Sequence, residues 1–385
     1  MRSSLSTLEL YNKYKDFLYH NESSVPTFHG FDAQSDVVIT GGGFLALHFI
    51  EQLQKTQIKY RKIVVIARSR DRFIKNAQYY KIKIKLDNII FIEKNLNELR
   101  PQDLHKNISI VLHTAAKINL LKSIAYFEQD NIAATDQIGK ICHLMQTPLA
   151  LCSSLSVFAS SNAWGSHVPN SLAITEKHVL QGGYAQSKAV GEMFVPKNTI
   201  IFRYGLLTAS QETYMFPSDS FFAIYIKTLK HLNAIPSTCT SSFVDITPVN
   251  IAALQTINIL EQIALNSRAS QLVKNAQPTS TNTIFHIASQ CSLENKRINE
   301  ILDLPTIEEL KFWSLVEEKL PQVPKTLIAW SFKRKECLEV FPEHLRNIDL
   351  FQSTNQKWNP YYPQTLFDEK LINCYITKIT ESPIL

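Results

Sequence analysis

Cysteine is scarce in this 385-residue chain: six residues (Cys142, Cys152, Cys239, Cys291, Cys337 and Cys374), with no CxxC pair. That spacing excludes a disulfide framework and gives no His/Cys cluster for zinc. Glycine, at 10 residues, and proline, at 16, are too few for a collagen-like or low-complexity chain. No stretch reaches the roughly 18 uncharged apolar residues of a membrane span, and Met1-Arg2-Ser3-Ser4 opens without the apolar run of a signal peptide. These absences point to a globular protein of a reducing, cytoplasmic compartment with no membrane span.

Acidic residues are nearly missing from one segment. Residues 55–85 hold eleven Lys/Arg (Lys55, Lys59, Arg61, Lys62, Arg68, Arg70, Arg72, Lys75, Lys81, Lys83, Lys85) against Asp71 alone. The rest of the chain carries 29 basic and 33 acidic residues, so this segment supplies all of the net +6 charge. A solvated helix face is one reading, and a surface for an anionic ligand or acidic partner is the other. No nucleic-acid-binding module accompanies the patch, so nucleic acid is not expected as a partner.

What is present, at 45% hydrophobic and 10% aromatic, suffices for one large or two closely packed domains. Residues 1–35 read as a polar N-terminal appendage with a short helix near Leu8–Tyr19. From Asp36 a strand, Val37-Val38-Ile39, runs into Thr40-Gly41-Gly42-Gly43 and then a helical stretch with Leu45, Phe49, Ile50 and Leu53 on one face. Further short apolar runs follow at Ile63–Ile66, Ile89–Ile92, Ile108–Leu112, Ala150–Cys152 and Thr199–Phe202, most of them separated by helical patterns. Continuous apolar strands alternating with helices predict a doubly wound parallel α/β sheet of Rossmann type. After about residue 205 longer helical patterns (Ser220–Leu232, Pro248–Asn266, Thr306–Leu320) take over. The expected domains are therefore 36–205, binding a dinucleotide, and 206–385, a smaller, mainly helical substrate-binding part.

Gly41-Gly42-Gly43-Phe44-Leu45-Ala46 reads as G-x-G-x-x-A between strand and helix. Glycine lets the backbone approach a pyrophosphate at the helix N-terminus, and Ala46 allows close helix–strand packing. The second strand ends in Ile66-Ala67-Arg68 with no acid before Asp71. An arginine there suits a 2′-phosphate, so NADPH is expected over NADH. Tyr184 and Lys188 form a YxxxK pair, stacked on one helix face, in which the ammonium is expected to lower the phenol's pKa. Tyr11/Lys15 and Tyr79/Lys83 share the spacing, but only Tyr184 follows the fifth strand, whose end carries Cys152-Ser153-Ser154-Leu155-Ser156. A hydroxyl there can bond the carbonyl oxygen that the tyrosine protonates. His113 and His286 read as satisfied core histidines, Asp219 as a helix cap, Asp245 as a turn anchor, and Phe221-Phe222 as core or as the lining of an acyl channel.

These pieces, with His113-Thr114-Ala115-Ala116, Asn131-Ile132-Ala133-Ala134-Thr135, Ser153-Ser154-Leu155-Ser156-Val157, Gly182-Gly183-Tyr184-Ala185-Gln186-Ser187-Lys188 and Val244-Asp245-Ile246-Thr247-Pro248-Val249, resemble the extended short-chain dehydrogenase/reductases. Pro217-Ser218-Asp219, Ala234-Ile235-Pro236 and Asp349-Leu350-Phe351 add to the likeness, which is greatest to the thioester reductase domains of nonribosomal peptide synthetases and carboxylic acid reductases. The resemblance implies that Ser154 polarises the substrate carbonyl, that Tyr184 donates the proton, and that Lys188 holds the nicotinamide ribose. It implies that Thr40, Gly41, Gly43, Phe44 and Leu45 form the pyrophosphate turn and that Arg68 meets the 2′-phosphate. Ala115 and Ala116 would lie along the cofactor. Two departures stand out: the turn is one residue shorter than the family's G-x-x-G-x-x-G, and Lys94-Asn95-Leu96 replaces Gly-Asp-Leu, leaving Asn95 to offer an amide to the adenine. The implied reaction is NADPH-dependent reduction of an acyl thioester to an aldehyde, with the alcohol as a further end point. The substrate would ride on an acyl or peptidyl carrier protein or on coenzyme A. A nucleotide-sugar epimerase, a hydroxysteroid-type dehydrogenase and a catalytically silent NADP-binding regulator are the alternatives.

Overall fold

The computed structural model describes residues 4–16, 18, 23–119, 122–159, 179–237, 243–272, 282–288, 292–319 and 369–381. They fall into two compact units, the larger made of Met1–Ala163, Pro169–Tyr204 and Ala252–Ile287.

The larger unit begins with strand β1 (Ser4–Ser6) and helix α1 (Thr7–Tyr14), closed at its start by a reciprocal Ser6–Glu9 capping box. The βα alternation follows: β2 (Asp36–Thr40), α2 (Phe44–Lys55), β3 (Ile63–Ala67), α3 (Arg70–Tyr79), β4 (Ile89–Glu93) and β5 (Ile108–His113). Helix α4 (Ala134–Leu144), β6 (Leu149–Ser154), β7 (Val179–Gln181), α5 (Gly183–Phe194) and β8 (Ile200–Tyr204) complete the run. The main sheet is parallel throughout, in the order β9-β8-β6-β5-β2-β3-β4, with β9 at Thr283–Ile287. All five residues of β2 are buried, as helices on both faces of a central strand require. The order reverses between β2 and β5, and in such sheets ligands bind outside the carboxyl ends of the strands at that switch.

Six of these strands match the apolar runs read from the sequence; β9 was not among them. Its segment, Thr-Ile-Phe-His-Ile, lies beyond the long helix Val249–Leu272 and brings residues 252–287 back into the larger unit. Strand β3 also divides the basic segment. Lys55, Lys59, Arg61, Lys62, Lys81, Lys83 and Lys85 flank the amino ends of β3 and β4, whereas Arg68, Arg70 and Arg72 follow the carboxyl end of β3. A five-residue strand separates the two groups by about 17 Å.

The smaller unit comprises Trp164–Val168, Gly205–Ile251 and Ala288–Leu385. Its described part is mostly helical: α6 (Phe221–Leu232), Asn295–Leu302, Glu309–Lys319 and Glu369–Glu381. Phe222 is fully buried and stacks on Tyr375, with ring centroids 5.2 Å apart, so it belongs to this unit's core. Ser220 rather than Asp219 caps α6, its hydroxyl accepting from the Ala223 amide. Asp349-Leu350-Phe351 lies outside the described residues.

Candidate active site

The turn after β2 is shaped by close approach. Gly41 adopts φ +91°, and a Cβ there would come within 3.1 Å of the Ala115 backbone. Its amide donates to the Ile66 carbonyl at 2.7 Å, and the Gly42 carbonyl accepts from Asn76 Nδ2 at 3.0 Å. Gly43 caps α2 without a side-chain bond, and a Cβ added there would meet nothing within 4 Å. An open cradle at an uncapped helix N-terminus fits a dinucleotide pyrophosphate. Phe44 and Leu45 begin the helix half-buried, the Phe44 ring lying against His48 and Tyr80, and Ala46 packs fully inside.

Thr40 is buried and faces inward. Its Oγ1 lies 2.7 Å from His113 Nδ1, the Ala115 amide reaches the same oxygen at 3.4 Å, and His113 Nε2 lies 3.0 Å from Thr135 Oγ1. Burial, with the nearby Lys188 charge, lowers the His113 pKa to about 3, so the ring is neutral and serves as a spacer between β2, β5 and α4. Thr40 thus touches the turn through Ala115, and Ala115 and Ala116 are half-buried just beyond β5.

Arg68 stands one residue past β3, 65% exposed, with its Nη1 3.2 Å from Asp130 Oδ1. The other Asp130 oxygen accepts from Lys117 Nζ at 3.1 Å. Asn95, exposed just past β4, gives its amide to Glu98 at 3.3 Å.

Ser154 is the last residue of β6, and its Oγ accepts from the Ser156 amide at 3.1 Å. Its hydroxyl lies near enough to the Tyr184 phenol to favour the ionised form, so the two hydroxyls expected from the sequence stand together. Lys188, one turn along α5, is buried and donates to the Cys152 carbonyl at 2.8 Å. Of the other YxxxK tyrosines, Tyr11 stacks on Phe194 and Tyr79 is exposed at the end of α3.

The electrostatics differ from the sequence-based expectation. Burial pushes the Tyr184 phenol up to about 12, opposed only by the neighbouring Ser154 hydroxyl. Burial likewise lowers Lys188 to about 8, with Cys152 and Glu192 supporting the charged form. Lys188 therefore does not lower the Tyr184 pKa; desolvation governs both groups, and the ammonium is bonded to Cys152. A phenol at about 12 stays protonated near neutrality and is set to donate a proton rather than accept one.

Several supporting residues were not singled out as site residues from the sequence. Asn131 sits in a π-helical turn, Glu128–Ala133, accepts from the Lys117 amide at 2.7 Å and donates to the Lys117 carbonyl and to Ser187 Oγ. Ser187 Oγ in turn donates to the Tyr184 carbonyl at 2.8 Å. Glu192, one turn past Lys188, accepts from Ser153 Oγ and is doubly bonded by the fully buried Arg203. The signal was present in part: Asn131 lies in a family-like motif, and Glu192 continues the Tyr184–Lys188 spacing by four.

No helix among the described residues is long and apolar enough to cross a membrane. Among curated protein sequences, none matches this chain. Solved structures that share its fold include three reductase domains. The terminal R domain from the myxalamid PKS-NRPS biosynthetic pathway is 18% identical over 97% of both chains, with a TM-score of 0.72. A thiolation-reductase di-domain from an archaeal non-ribosomal peptide synthetase is 17% identical over 96% of this chain and 80% of that one, at 0.69. The Aureusimine biosynthetic cluster reductase domain is 15% identical over 96% and 95%, at 0.65. The sequence model of the family described as male sterility protein matches residues 39–256, from inside β2 through the whole β6–α5 site. The chain belongs to that family, and is a nicotinamide-dependent oxidoreductase of the extended short-chain dehydrogenase/reductase type.

Proposed function

We propose that this protein reduces an acyl thioester with NADPH, the acyl group arriving on a carrier protein or on coenzyme A. The observation that carries the reading is the Ser154 hydroxyl beside the Tyr184 phenol at the carboxyl end of β6, with Lys188 one turn beyond. The likeness to reductase domains of peptide and polyketide assembly lines supports a thioester substrate.

Gly41, Gly43, Phe44 and Leu45 would hold the pyrophosphate, Arg68 the 2′-phosphate, Asn95 the adenine and Lys188 the nicotinamide ribose, with Ala115 and Ala116 beside it. When bound, NADPH supplies a hydride, and with one proton the thioester becomes an aldehyde and a free thiol. Ser154 and Tyr184 would hydrogen-bond the carbonyl oxygen as negative charge grows on it, and Tyr184 would pass its proton there. The neutral phenol suits this direction. We assign the larger unit, which takes back Ala252–Ile287, chiefly to the cofactor and the smaller unit to the substrate, and place the protein in the cytoplasm, in keeping with its free thiols Cys142, Cys152 and Cys374. Of the basic segment, Arg70 and Arg72 lie at the carboxyl end of the sheet, where an acidic carrier would present its thioester.

The test is NADPH oxidation with acyl-pantetheine and acyl-CoA thioesters of graded length, beside matched ketones and alcohols, with Tyr184→Phe as control. Thioester-dependent oxidation that yields aldehyde or alcohol and is lost in Tyr184→Phe is expected. Turnover of ketones or alcohols alone overturns the thioester assignment.

A further inference from the structure

The N-terminal segment holds both neighbours of Tyr184. Strand β1 pairs antiparallel with β7, Ser4 facing Gln181 and Ser6 facing Val179, so the pairing ends three residues before Tyr184. Helix α1 packs along α5: Leu10 is fully buried, and Tyr11 stacks on Phe194 with centroids 5.5 Å apart at 9°. From the same helix, Tyr14 donates its phenolic proton to Glu128 Oε1 at 2.7 Å and Lys13 Nζ lies 3.0 Å from that oxygen.

Glu128 opens the π turn that Asn131 belongs to, and the residue before it, Phe127, lies edge-on to the Tyr184 ring at 6.1 Å. Asn131 then reaches Ser187, which bonds the Tyr184 carbonyl. The entry of α5 is pressed against the same segment: a Cβ on Gly183 would fall 2.3 Å from the Ser123 carbonyl carbon. One face of Tyr184 is thus set by the 123–131 segment and the preceding backbone by β7, and α1–β1 binds both.

We propose that Tyr14 and Glu128 are positioning residues for Tyr184, and that residues 4–14 act as a strap fixing the proton donor. The proposal rests on Tyr184 being the proton donor. Removing the Tyr14–Glu128 bond loosens the turn that carries Phe127 and Asn131, and the phenol's aim suffers while the dinucleotide cradle at Gly41–Gly43 is untouched. Misplacement of a reacting group is felt in turnover more than in binding.

The experiment uses the full chain with Glu128→Ala, Glu128→Gln, Tyr14→Phe and Tyr184→Phe. Glutamine keeps a carbonyl that accepts from Tyr14, so Glu128→Gln is the conservative rescue. The first readout is amide hydrogen exchange of peptides spanning 123–131 and 179–188. Glu128→Ala and Tyr14→Phe are expected to speed exchange there by about tenfold while peptides from β2 and β3 stay unchanged. The second is NADPH oxidation with octanoyl-CoA and octanal as probes. Both variants are expected to lower kcat by about fivefold with KM for NADPH within about twofold, Glu128→Gln recovering most of the loss. Tyr14→Phe keeps its ring and serves where Glu128→Ala fails to fold. Unchanged exchange at 179–188 overturns the proposal, and so does full kcat in both variants when Tyr184→Phe is dead. A fully active Tyr184→Phe instead removes the proton-donor reading beneath it.

Discussion

The ammonium of Lys188 lies 2.8 Å from the carbonyl oxygen of Cys152, two residues before the strand ends at Ser154. This bond ties α5 to β6 at the level where the helix presents Tyr184 and the strand presents Ser154. It also places a charge in a desolvated pocket, and burial accordingly lowers the lysine to about 8. Function and stability therefore pull in opposite directions at this residue.

The functional side appears in the pH profile. The kcat/KM of the free enzyme reports groups whose protonation matters before substrate binds. Tyr184, at about 12, remains protonated across the working range, so it adds no limb below pH 10. Lys188 loses its charge near pH 8, and the profile is expected to fall above about that value. Initial rates between pH 6 and 10 check this. A flat profile to pH 9.5 means that the ammonium is not required.

The stability side has the opposite sign. The folded protein holds the Lys188 proton more weakly than the unfolded chain, whose lysine has the ordinary value of 10.5. Folding releases that proton between about pH 8 and 10.5, so stability rises with pH across this window, and the penalty is complete below about pH 8. A shift of this size corresponds to about 3 kcal/mol. Lys188→Met, apolar and of similar length, is expected to melt higher than wild type at pH 7 and to lose the advantage by pH 10.5, while being inactive. Calorimetry at the two pH values decides, and a lower Tm at pH 7 rejects the account.

Much of this was legible in the sequence, and the reasons are physical. A strand buried on both faces reads as an apolar run, so Val37–Ile39, Ile63–Ile66 and their successors announced the sheet. Thr283–Ile287 reads no differently from a buried stretch of helix, and nothing local shows that it pairs with Ile200–Tyr204. The glycine turn and the Tyr184–Lys188 spacing are local patterns and survive as such. The Asp130–Arg68 and Glu128–Tyr14 contacts join residues 62 and 114 positions apart, which no spacing rule detects. The direction of the Tyr184 shift is not legible in the sequence, because YxxxK shows a cation one turn away but shows neither burial nor the Cys152 carbonyl that the cation bonds.

Two glycines separate folding from cofactor binding. At Gly183 a methyl would strike backbone atoms 2.3 to 2.6 Å away, and backbone cannot swing aside as a side-chain tip can. Gly183→Ala is expected to cost about 2 kcal/mol or more, seen as a lower Tm or insoluble protein. At Gly43 the methyl meets nothing and φ is −90°, open to any residue. Gly43→Ala is therefore expected to keep the wild-type Tm while weakening NADPH binding by at least about tenfold, because the methyl fills the space the pyrophosphate needs. Equal Kd values for Gly43→Ala and wild type by fluorescence titration would place the dinucleotide elsewhere.

Asp130 tests the assignment of Arg68. Its carboxylate lies against two cations, Arg68 at 3.2 Å and Lys117 at 3.1 Å, and Arg68 is largely exposed. An arginine that receives a 2′-phosphate must give up or share such a partner, and the carboxylate repels the incoming dianion. Both effects oppose NADPH, and neither acts on a cofactor with a 2′-hydroxyl to the same degree. Exposed ion pairs are worth about 1 kcal/mol or less, so Asp130→Asn is expected to tighten NADPH and 2′,5′-ADP by about threefold to fivefold. The change for NADH and 5′-AMP should be smaller, and the gain should shrink as salt rises. Arg68→Ala is expected to weaken NADPH and 2′,5′-ADP selectively and to erase the effect of Asp130→Asn in the double variant. Isothermal titration with the four nucleotides reads all of this without turnover. If Arg68→Ala weakens the phosphorylated and unphosphorylated nucleotides equally, Arg68 does not read the 2′-phosphate, and the proposed preference for NADPH loses its residue.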